Sequence, residues 1–273
     1  APGCALHPRL RIPYLGISGN RLAALTRLCR HAILQPERRQ RVRIAMNKHD
    51  LHGKRILISA GPTWVAIDEV RHIGNFATGR LGLELAREAQ RRGAEVTLLL
   101  GPTRLHVPDA DRQAIRICDY TYFDELLELV RREVGSRSYD AFLHTAAVSD
   151  YAPDRQSGKI ASGREELVIR LHPLPKIVDE VKPLDPGILL VKFKLEVGVS
   201  REELIRIAQR SREHSRADLI VANDKRQLAE GAHPAIILGP EGIVAEVEAR
   251  PDLVRALLDT VAERLHQRGS DTP

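Results

Sequence analysis

Two polar residues early in the main part of the chain could hold an anionic or carbonyl-bearing molecule. Arg71 and Asn75 lie four residues apart and shortly before Gly79. A planar guanidinium binds phosphate or carboxylate through paired hydrogen bonds, and an amide can hold a carbonyl group. Arginine and asparagine are also common in solvated loops, so their spacing alone leaves an ordinary loop as the alternative.

Two charged residues farther along the chain could contribute to the same chemistry. Lys159 lies in a polar stretch, residues 151–165, of the length typical of a functional lid or a disordered loop. On a lid it could neutralise the charge that develops when a carboxylate attacks a nucleoside triphosphate, although a lone lysine is most often a solvated cation. Asp150 could bind a ribose or a base, or cap the turn that follows it.

An alternation of strands and helices, starting at Lys54, would position these residues. Residues 56–58 form a continuous apolar run, which is typical of a strand buried on both faces. Further strands are predicted over residues 96–100, 114–117, 140–145, 188–193 and 218–222, with amphipathic helices between them. The pattern predicts an α/β protein with a Rossmann-like, doubly wound, mostly parallel sheet, helices on both faces and a small β-hairpin or lid region.

Three local features refine this prediction. Thr78 is placed to cap the helix that follows the first strand. The segment between Thr63 and Gly79 is predicted to be a long loop. Residues 167–171 alternate between polar and apolar types as a strand should, after the polar stretch.

The carboxyl ends of the predicted strands carry the remaining candidate residues. In chain order these are Gly61, Pro62, Thr63, Ala146, Ala147, Phe193, Lys194 and Asn223. The carboxyl ends of parallel strands meet at one edge of a doubly wound sheet, where ligands bind.

The charge distribution separates the start of the chain from the rest. Residues 1–45 contain nine arginines, no lysine and one acidic residue, a charge of +8, so residues 46–273 carry −2 of the chain's net +6. We therefore predict a poorly ordered Arg-rich extension over residues 1–45 and one α/β domain over residues 46–273. The mildly acidic domain argues against nucleic-acid binding.

Composition also bears on the compartment. No apolar run reaches the ~18 residues of a membrane helix, which predicts no membrane attachment. Cys4, Cys29 and Cys118 match neither a metal knuckle nor a disulfide framework, so a reducing cytoplasm is expected.

The glycine-rich junction after the first strand also suggests a nicotinamide site, but its spacing disfavours one. Seventeen residues separate Gly61 from Gly79, too many for the tight G-x-G-x-x-G turn. The strand over residues 96–100 is followed by Gly101 and Pro102, with no acidic residue to hold a ribose. An NAD(P)-dependent reductase is therefore a weaker alternative, and the phosphate-loop sequence of P-loop NTPases is absent.

Six motifs together resemble phosphopantothenoylcysteine synthetase, the ligase of coenzyme A biosynthesis. In chain order they occupy residues 59–63, 70–79, 146–151, 159–160, 193–196 and 221–224. They occur in the family's order across residues 54–265, which is nearly the whole predicted domain. Each motif is weak alone, but six in register are hard to produce by chance.

The resemblance implies a reaction and an assembly. Members of the family are homodimers that join 4′-phosphopantothenate to cysteine, using CTP or ATP with Mg²⁺. The pantothenate carboxylate attacks the α-phosphate and releases pyrophosphate, and the cysteine amine then displaces the nucleotide. The flavin-binding decarboxylase domain often fused ahead of this ligase would not fit in residues 1–45, so a separate decarboxylase chain and no flavin are expected here.

The resemblance also implies residue roles. Asn75 would hold the pantothenoyl group and the acyl-nucleotide, and Arg71 would reach the substrate phosphate from the partner subunit. Lys159 would stabilise the charge of the first step. Ala146, Ala147 and Asp150 would frame the substrates. The implied nucleotide-binding residues are Gly61, Pro62, Thr63, Gly79, Asp150, Lys159, Phe193, Lys194 and Asn223, and no metal ligands are identified.

Departures from the family pattern leave two points open. Residues 172–176 read His-Pro-Leu-Pro-Lys where bacterial members have Asn-Pro-Asp, and residues 213–216 lack a lysine often found there. Residues 193–196 read Phe-Lys-Leu-Glu, as in eukaryotic and stand-alone forms. CTP and ATP both stay open, and so does a non-catalytic relative that binds nucleotide without turnover.

Overall fold

The computed structural model describes residues 50–163, 165–229 and 232–270. The Arg-rich extension over residues 1–45 lies outside these ranges, so the division into an extension and a domain stays a prediction. Within the described ranges, none of the helices combines the length and the apolarity needed to cross a membrane.

Twelve strands and six helices make up the described fold. The strands are β1 (Arg55–Ala60), β2 (Trp64–Ala66), β3 (His72–Gly74), β4 (Glu95–Leu100), β5 (Arg116–Asp119), β6 (Ala141–His144), β7 (Tyr151–Pro153), β8 (Leu171–Pro173), β9 (Leu189–Glu196), β10 (Leu219–Asp224), β11 (Ala235–Gly239) and β12 (Gly242–Val247). The helices are α1 (Arg80–Arg91), α2 (Asp109–Ala114), α3 (Phe123–Gly135), α4 (Ile177–Leu184), α5 (Arg201–His214) and α6 (Arg250–Ser270).

Eight of the strands form one sheet in the order β12-β11-β10-β9-β6-β1-β4-β5. The six strands from β10 to β5 pair in parallel, and β11 and β12 add an antiparallel edge. Since β4 and β5 extend to one side of β1, and β6, β9 and β10 to the other, the winding reverses between β1 and β6. A doubly wound sheet opens its ligand crevice at that point, and the predicted Rossmann-like fold is confirmed.

Helices cover both faces of this sheet, as predicted. Ile56 and Ile58 of β1 pack in one apolar cluster with α1 and α6, whereas Leu57 packs in another with α3 and α4. Successive side chains of a strand point to opposite faces, so a strand covered on both sides needs apolar residues throughout. This explains why the first strand is a continuous apolar run.

The segment predicted as a long loop contains the hairpin of β2 and β3. Trp64 pairs with Gly74, and its ring stacks on His72 with centroids 3.6 Å apart. A Cβ on Gly74 would lie 2.8 Å from the tryptophan ring, so glycine allows this packing. All three residues of β3 are exposed, and such a strand has no apolar alternation to reveal it.

The strand predicted over residues 167–171 is wrong. Residues 167–170 belong to no strand, and β8 begins at Leu171 and pairs antiparallel with β7. The alternation misleads because it marks no buried face: Val168 is 70% exposed. The polar stretch over residues 151–165 therefore begins with β7, and its other described residues belong to no helix or strand.

Two predicted boundaries also move. Residues 109–114 form α2, so the third strand covers Arg116–Asp119 and not residues 114–117. Pro108, with φ −59°, precedes α2 and suits a helix start. The N-cap of α1 is Gly79 and not Thr78, whose hydroxyl lies 3.4 Å from the Arg80 amide.

Candidate active site

The loops after β1 and β6 are joined by hydrogen bonds at the carboxyl edge of the sheet. The Ala147 amide donates to the Gly61 carbonyl at 2.9 Å, and the Thr63 amide donates to the Ala147 carbonyl at 3.2 Å. The buried Thr63 hydroxyl accepts from the Ser149 amide at 2.8 Å. Pro62 completes the pairing through a bridge to Ala147. These bonds bring the predicted residues of both loops into one wall of the crevice, called the crevice wall below.

Glycine is required where α1 approaches the crevice wall. A Cβ on Gly82 would lie 2.4 Å from the Ala60 Cβ and 2.8 Å from the Thr145 hydroxyl. Gly61 has a φ of +86°, a conformation that side-chain-bearing residues rarely adopt. These two glycines let the first turn of α1 lie directly against the ends of β1 and β6.

Asn75 contacts the crevice wall. Its Nδ2 donates to the Ala147 carbonyl at 2.9 Å, although the residue is exposed. The bond fixes the plane of the amide, and the side-chain oxygen takes no part in it. Asn75 can therefore present an oriented polar group to a molecule in the crevice.

The amino end of α1 supplies donors suited to an anion. Gly79, with φ +76°, places this end so that a Cβ there would lie 3.4 Å from the Gly61 nitrogen. The first turn of α1 carries no acidic residue. Backbone amides at a helix start, together with the helix dipole, favour negatively charged groups such as phosphate.

The Arg71 side chain contacts the backbone next to Lys159, beside the β2–β3 hairpin. Arg71 Nη2 donates to the carbonyl of Ile160, the residue after Lys159, at 2.7 Å. Arg71 Nε donates to Asp68 Oδ2 at 3.0 Å. The sequence interpretation missed Asp68, although an acidic residue three positions before an arginine in a turn-forming segment was an available signal.

Asp150 pairs with a cation that the sequence interpretation did not assign to the site. Lys176 Nζ donates to Asp150 Oδ1, and both side chains are more than half exposed. The Leu174 amide donates to the Asp150 carbonyl at 2.9 Å, which brings the segment before α4 to this edge. Exposed ion pairs contribute only about 0–1 kcal/mol to stability, so a charged ligand can replace either partner.

The residues predicted on β9 and β10 form a third group. Phe193 is half-buried and packs against the main apolar cluster. Lys194 Nζ lies 3.0 Å from Glu196 Oε1. Asn223 is buried, and its Nδ2 donates to the Pro234 carbonyl at 2.6 Å. This bond fixes the backbone immediately before β11.

Two buried titratable side chains, His144 and Lys192, lie behind the loop after β6. His144 Nδ1 lies 2.7 Å from the Ser59 hydroxyl oxygen. Burial, with a smaller contribution from Lys192, lowers the pKa of His144 to about 4. Lys192 is itself buried and donates to the Ser215 hydroxyl at 2.7 Å, and burial lowers its pKa as well. His144 is therefore neutral at pH 7 and connects the ends of β1 and β6.

A cavity of about 500 Å³ lies to one side of the crevice, beyond β4 and β5. Its lining includes Trp64, Gly101, Arg112, Asp119 and Tyr120, and none of the predicted site residues. Arg112 and Asp119 form an exposed ion pair there at 3.3 Å, but the cavity does not include the start of a helix. The wall that carries Asn75 and the start of α1 has the donors that an anionic substrate needs, so we place the site there.

Sequence comparison identifies relatives over most of the described chain. Residues 51–264 match the family model described as the DNA/pantothenate metabolism flavoprotein C-terminal domain. The coenzyme A biosynthesis bifunctional protein CoaBC of Thermococcus kodakarensis is 39% identical over 195 residues, which cover 71% of this chain and 47% of that protein. The chain thus spans about half the length of the curated relatives it matches.

Solved structures share the fold. The C-terminal domain of a coenzyme A biosynthesis bifunctional protein CoaBC matches with a TM-score of 0.64 and 27% identity, covering 80% of this chain and 99% of that one. A Cab2 mutant in complex with phosphopantothenate-cysteine matches with a TM-score of 0.65 and 17% identity, covering 82% of this chain and 90% of that one. At that identity the second likeness shows the fold alone.

Proposed function

The chain belongs to the DNA/pantothenate metabolism flavoprotein C-terminal domain family, and on that premise we propose that it is a phosphopantothenate–cysteine ligase. The relative from Thermococcus kodakarensis is named as a coenzyme A biosynthesis protein. The Cab2 mutant, which shares the fold, is described in complex with phosphopantothenate-cysteine, the molecule that such a ligase forms. The first name supports the pathway proposed here, and the second supports a fold that can hold such a molecule.

One observation carries the proposal: Asn75 donates to the Ala147 carbonyl at 2.9 Å, on the crevice wall that also holds the start of α1. An oriented amide beside phosphate-binding backbone groups suits a substrate with a carbonyl near one end and a nucleotide phosphate close to it. Phosphopantothenate activated by a nucleotide has that arrangement. The resemblance of the six motifs independently assigns Asn75 to the acyl-nucleotide.

The first step activates the carboxylate. A carboxylate oxygen of phosphopantothenate attacks the α-phosphorus of CTP or ATP, an oxygen–phosphorus bond forms, and pyrophosphate leaves. Gly61 and Gly79 let backbone amides approach the phosphate oxygens, and Lys159 neutralises the charge that develops on them. Asn75 holds the acyl group, so the reacting atoms stay aligned.

The second step forms the amide. The cysteine nitrogen attacks the activated carbonyl carbon, the carbon–oxygen bond to the nucleotide breaks, and nucleoside monophosphate leaves while the nitrogen loses a proton. An unactivated carboxylate is inert to amines because its oxygen is a poor leaving group. Ala146 and Ala147 frame the substrates during this exchange without placing bulky side chains in the crevice.

Mg²⁺ would bind with the nucleotide. The described residues contain no cluster of three histidine, cysteine or acidic side chains that could hold a metal alone. Mg²⁺ is commonly held by substrate phosphates with one or two carboxylates, and Asp150 is an exposed carboxylate that fits this use. When bound, the ion would offset phosphate charge in the first step.

A homodimer fits the surface around Arg71. Val70 is 64% exposed and Phe76 is 98% exposed, so the segment that carries Arg71 and Asn75 presents apolar side chains outward. A second copy of the chain covering them would bring the Arg71 region near the partner's crevice. This supports the assignment of Arg71 to the phosphate of a substrate bound by the neighbouring subunit.

The choice of nucleotide rests on the third group of residues. Phe193, Lys194 and Asn223 lie at the ends of β9 and β10, where a base and ribose would extend from phosphates held at the start of α1. Lys194 supplies a cation there, and Lys176 supplies another beside Asp150. Both lysines lie in segments that depart from the bacterial pattern. Both CTP and ATP are compatible with this set.

A pyrophosphate-release assay comparing CTP with ATP, at saturating phosphopantothenate and cysteine, tests the proposal. We expect release that requires both phosphopantothenate and a nucleoside triphosphate. No release with either nucleotide would contradict the ligase. In that case an NAD(P)H fluorescence titration tests the reductase alternative, and calorimetry showing nucleotide binding without turnover identifies a non-catalytic relative.

A further inference from the structure

Asp68 is a buried carboxylate that joins two distant segments of the proposed site. It is 2% exposed, and its Oδ1 accepts from the amides of Val70 at 2.9 Å and Arg71 at 2.7 Å. Its Oδ2 accepts from the Ile160 amide at 3.0 Å, across 92 positions of sequence. Oδ2 also accepts from Arg71 Nε at 3.0 Å and lies 2.7 Å from Arg71 Nη2. One carboxylate thus holds the Arg71 side chain and the backbone of the polar stretch at Ile160.

Arg71 completes the link from the other side. Its Nη2 donates to the Ile160 carbonyl at 2.7 Å, so Ile160 is held through both its amide and its carbonyl. The Glu69 amide donates to the Gly158 carbonyl at 3.1 Å. Lys159 lies between Gly158 and Ile160, so its backbone is fixed on both sides while its side chain stays exposed.

The link is electrostatically stable near neutral pH. Burial raises the pKa of Asp68, but hydrogen bonds from the amides of Ile160, Val70 and Arg71 outweigh burial and hold the pKa well below its ordinary value of 3.8. Because the folded-state pKa is lowered, the stability from this carboxylate is present above pH 3.8 and is lost only as the pH falls toward the lower value. The carboxylate therefore stays charged in any ordinary assay.

We propose that Asp68 is a positioning residue that sets the location of both Arg71 and Lys159 for the first step. The inference rests on the proposed function, because that function assigns the substrate phosphate to Arg71 and the developing charge to Lys159. Lys159 lies in a polar stretch with little packing of its own, and Ile160, which is buried, is its anchor. A displacement of about 1 Å in a positioned group can lower a rate by about 100-fold.

Asp68→Asn tests the link while preserving size. The asparagine oxygen can still accept from the Val70 and Arg71 amides, but its NH2 group would face the N–H groups of Ile160 and Arg71. We expect kcat for pyrophosphate release to fall tenfold or more. The KM for the nucleotide should change far less, because Lys159 acts on charge that develops during the reaction.

Glu133→Gln is the matched control. Glu133 is a buried carboxylate held by Arg116 Nη1 at 2.8 Å and Nη2 at 3.0 Å, and Arg116 begins β5 at the amino edge of the sheet, away from the crevice. Glu133→Gln removes the charge of a buried carboxylate, as Asp68→Asn does, so the two variants should lose similar amounts of stability. We expect its kcat to equal that of the wild type.

Hydrogen exchange without substrates tests the link independently of activity and of whether Asp68→Asn folds. In the wild type the Ile160 amide should exchange at least tenfold more slowly than those of its exposed neighbours Ala161 and Ser162. Asp68→Asn should remove this protection, and Glu133→Gln should keep it. Equal exchange at Ile160 and its neighbours in the wild type, or equal kcat in the two variants, would overturn the inference. A wild type with a protected Ile160 but no pyrophosphate release would contradict only the proposed ligase.

Discussion

At the scale of single residues, the bond from Asn75 to the Ala147 carbonyl ties the segment before α1 to the loop after β6. Because Asn75 is exposed, this bond contributes little to the stability of the folded state. The activity of a variant at this position therefore reports on catalysis, because the variant keeps its fold. Its role differs in this respect from that of Asp68, which is buried and holds backbone.

Replacing Asn75 by alanine should lower the rate of amide formation about 100-fold or more, because losing one oriented polar contact to a reacting group typically costs about 10²–10³ in kcat. The free energy of unfolding should change by no more than about 0.5 kcal/mol. Steady-state formation of phosphopantothenoylcysteine measures the first effect and urea unfolding the second. Gln113→Ala, an exposed polar residue on α2, is the control, and equal activity of the two variants would count against a role for Asn75.

At the scale of elements, the contact between α1 and the sheet decides the shape of the crevice. Gly82→Ala should lower the free energy of unfolding by about 1–3 kcal/mol, because the added Cβ would lie 2.4 Å from the Ala60 Cβ. Gly135→Ala in α3 is the matched control, since nothing lies within 4 Å of its Cβ position. It should be neutral or slightly stabilising. Equal urea midpoints for the two variants would show that α1 does not need the close approach.

The junction of β1 and β6 should make stability depend on pH through His144. Burial lowers its pKa from 6.5 to about 4 in the folded protein, whereas the unfolded chain takes up the proton near pH 6.5. The free energy of unfolding therefore falls as the pH drops from 6.5 toward 4, by about 3 kcal/mol in total from this group. Urea unfolding of His144→Gln should show a smaller loss over this range than the wild type. Identical losses would mean that His144 titrates normally.

The sequence predicts well those strands and helices whose burial requires a regular pattern of apolar residues. Continuous apolar runs such as residues 56–58 identify strands covered on both faces, and the glycines flanking the loop after β1 indicate the crevice. The β2–β3 hairpin leaves no pattern because β3 is exposed throughout, and the alternation over residues 167–171 misleads because residues 167–170 belong to no strand. Apolar periodicity arises from burial, so it does not predict strands that lie outside the core.

The site is predictable in part for a related reason. Candidates at strand ends, such as Gly61 and Ala147, follow from the rule that parallel strands end at one edge. The ion pair of Asp150 with Lys176 and the contact of Asp68 with Ile160 join residues far apart in sequence. Such pairings depend on how loops fold back over the sheet, and no local spacing encodes them.

At the scale of the whole molecule, the outward apolar side chains beside the site favour a dimer. Phe76→Ser should weaken self-association at least tenfold without lowering the stability of the subunit, because Phe76 is 98% exposed within one chain. Sedimentation velocity over a concentration series measures the dissociation constant. Ile243→Ser on β12, the far edge strand, is the control with 44% exposure. A wild type that stays monomeric at all concentrations would contradict a shared site.

If transfer of a nucleotide activates the carboxylate, one carboxylate oxygen must leave with the nucleotide, and isotope labelling can follow it. Phosphopantothenate labelled with ¹⁸O in its carboxylate is incubated with cysteine and CTP or ATP, and the products are analysed by mass spectrometry. We predict one ¹⁸O atom in the nucleoside monophosphate, because the oxygen that attacks the α-phosphorus leaves with it when the amide forms. Label in inorganic phosphate, with a nucleoside diphosphate as the other product, would show that the carboxylate is activated as an acyl phosphate and not by nucleotide transfer.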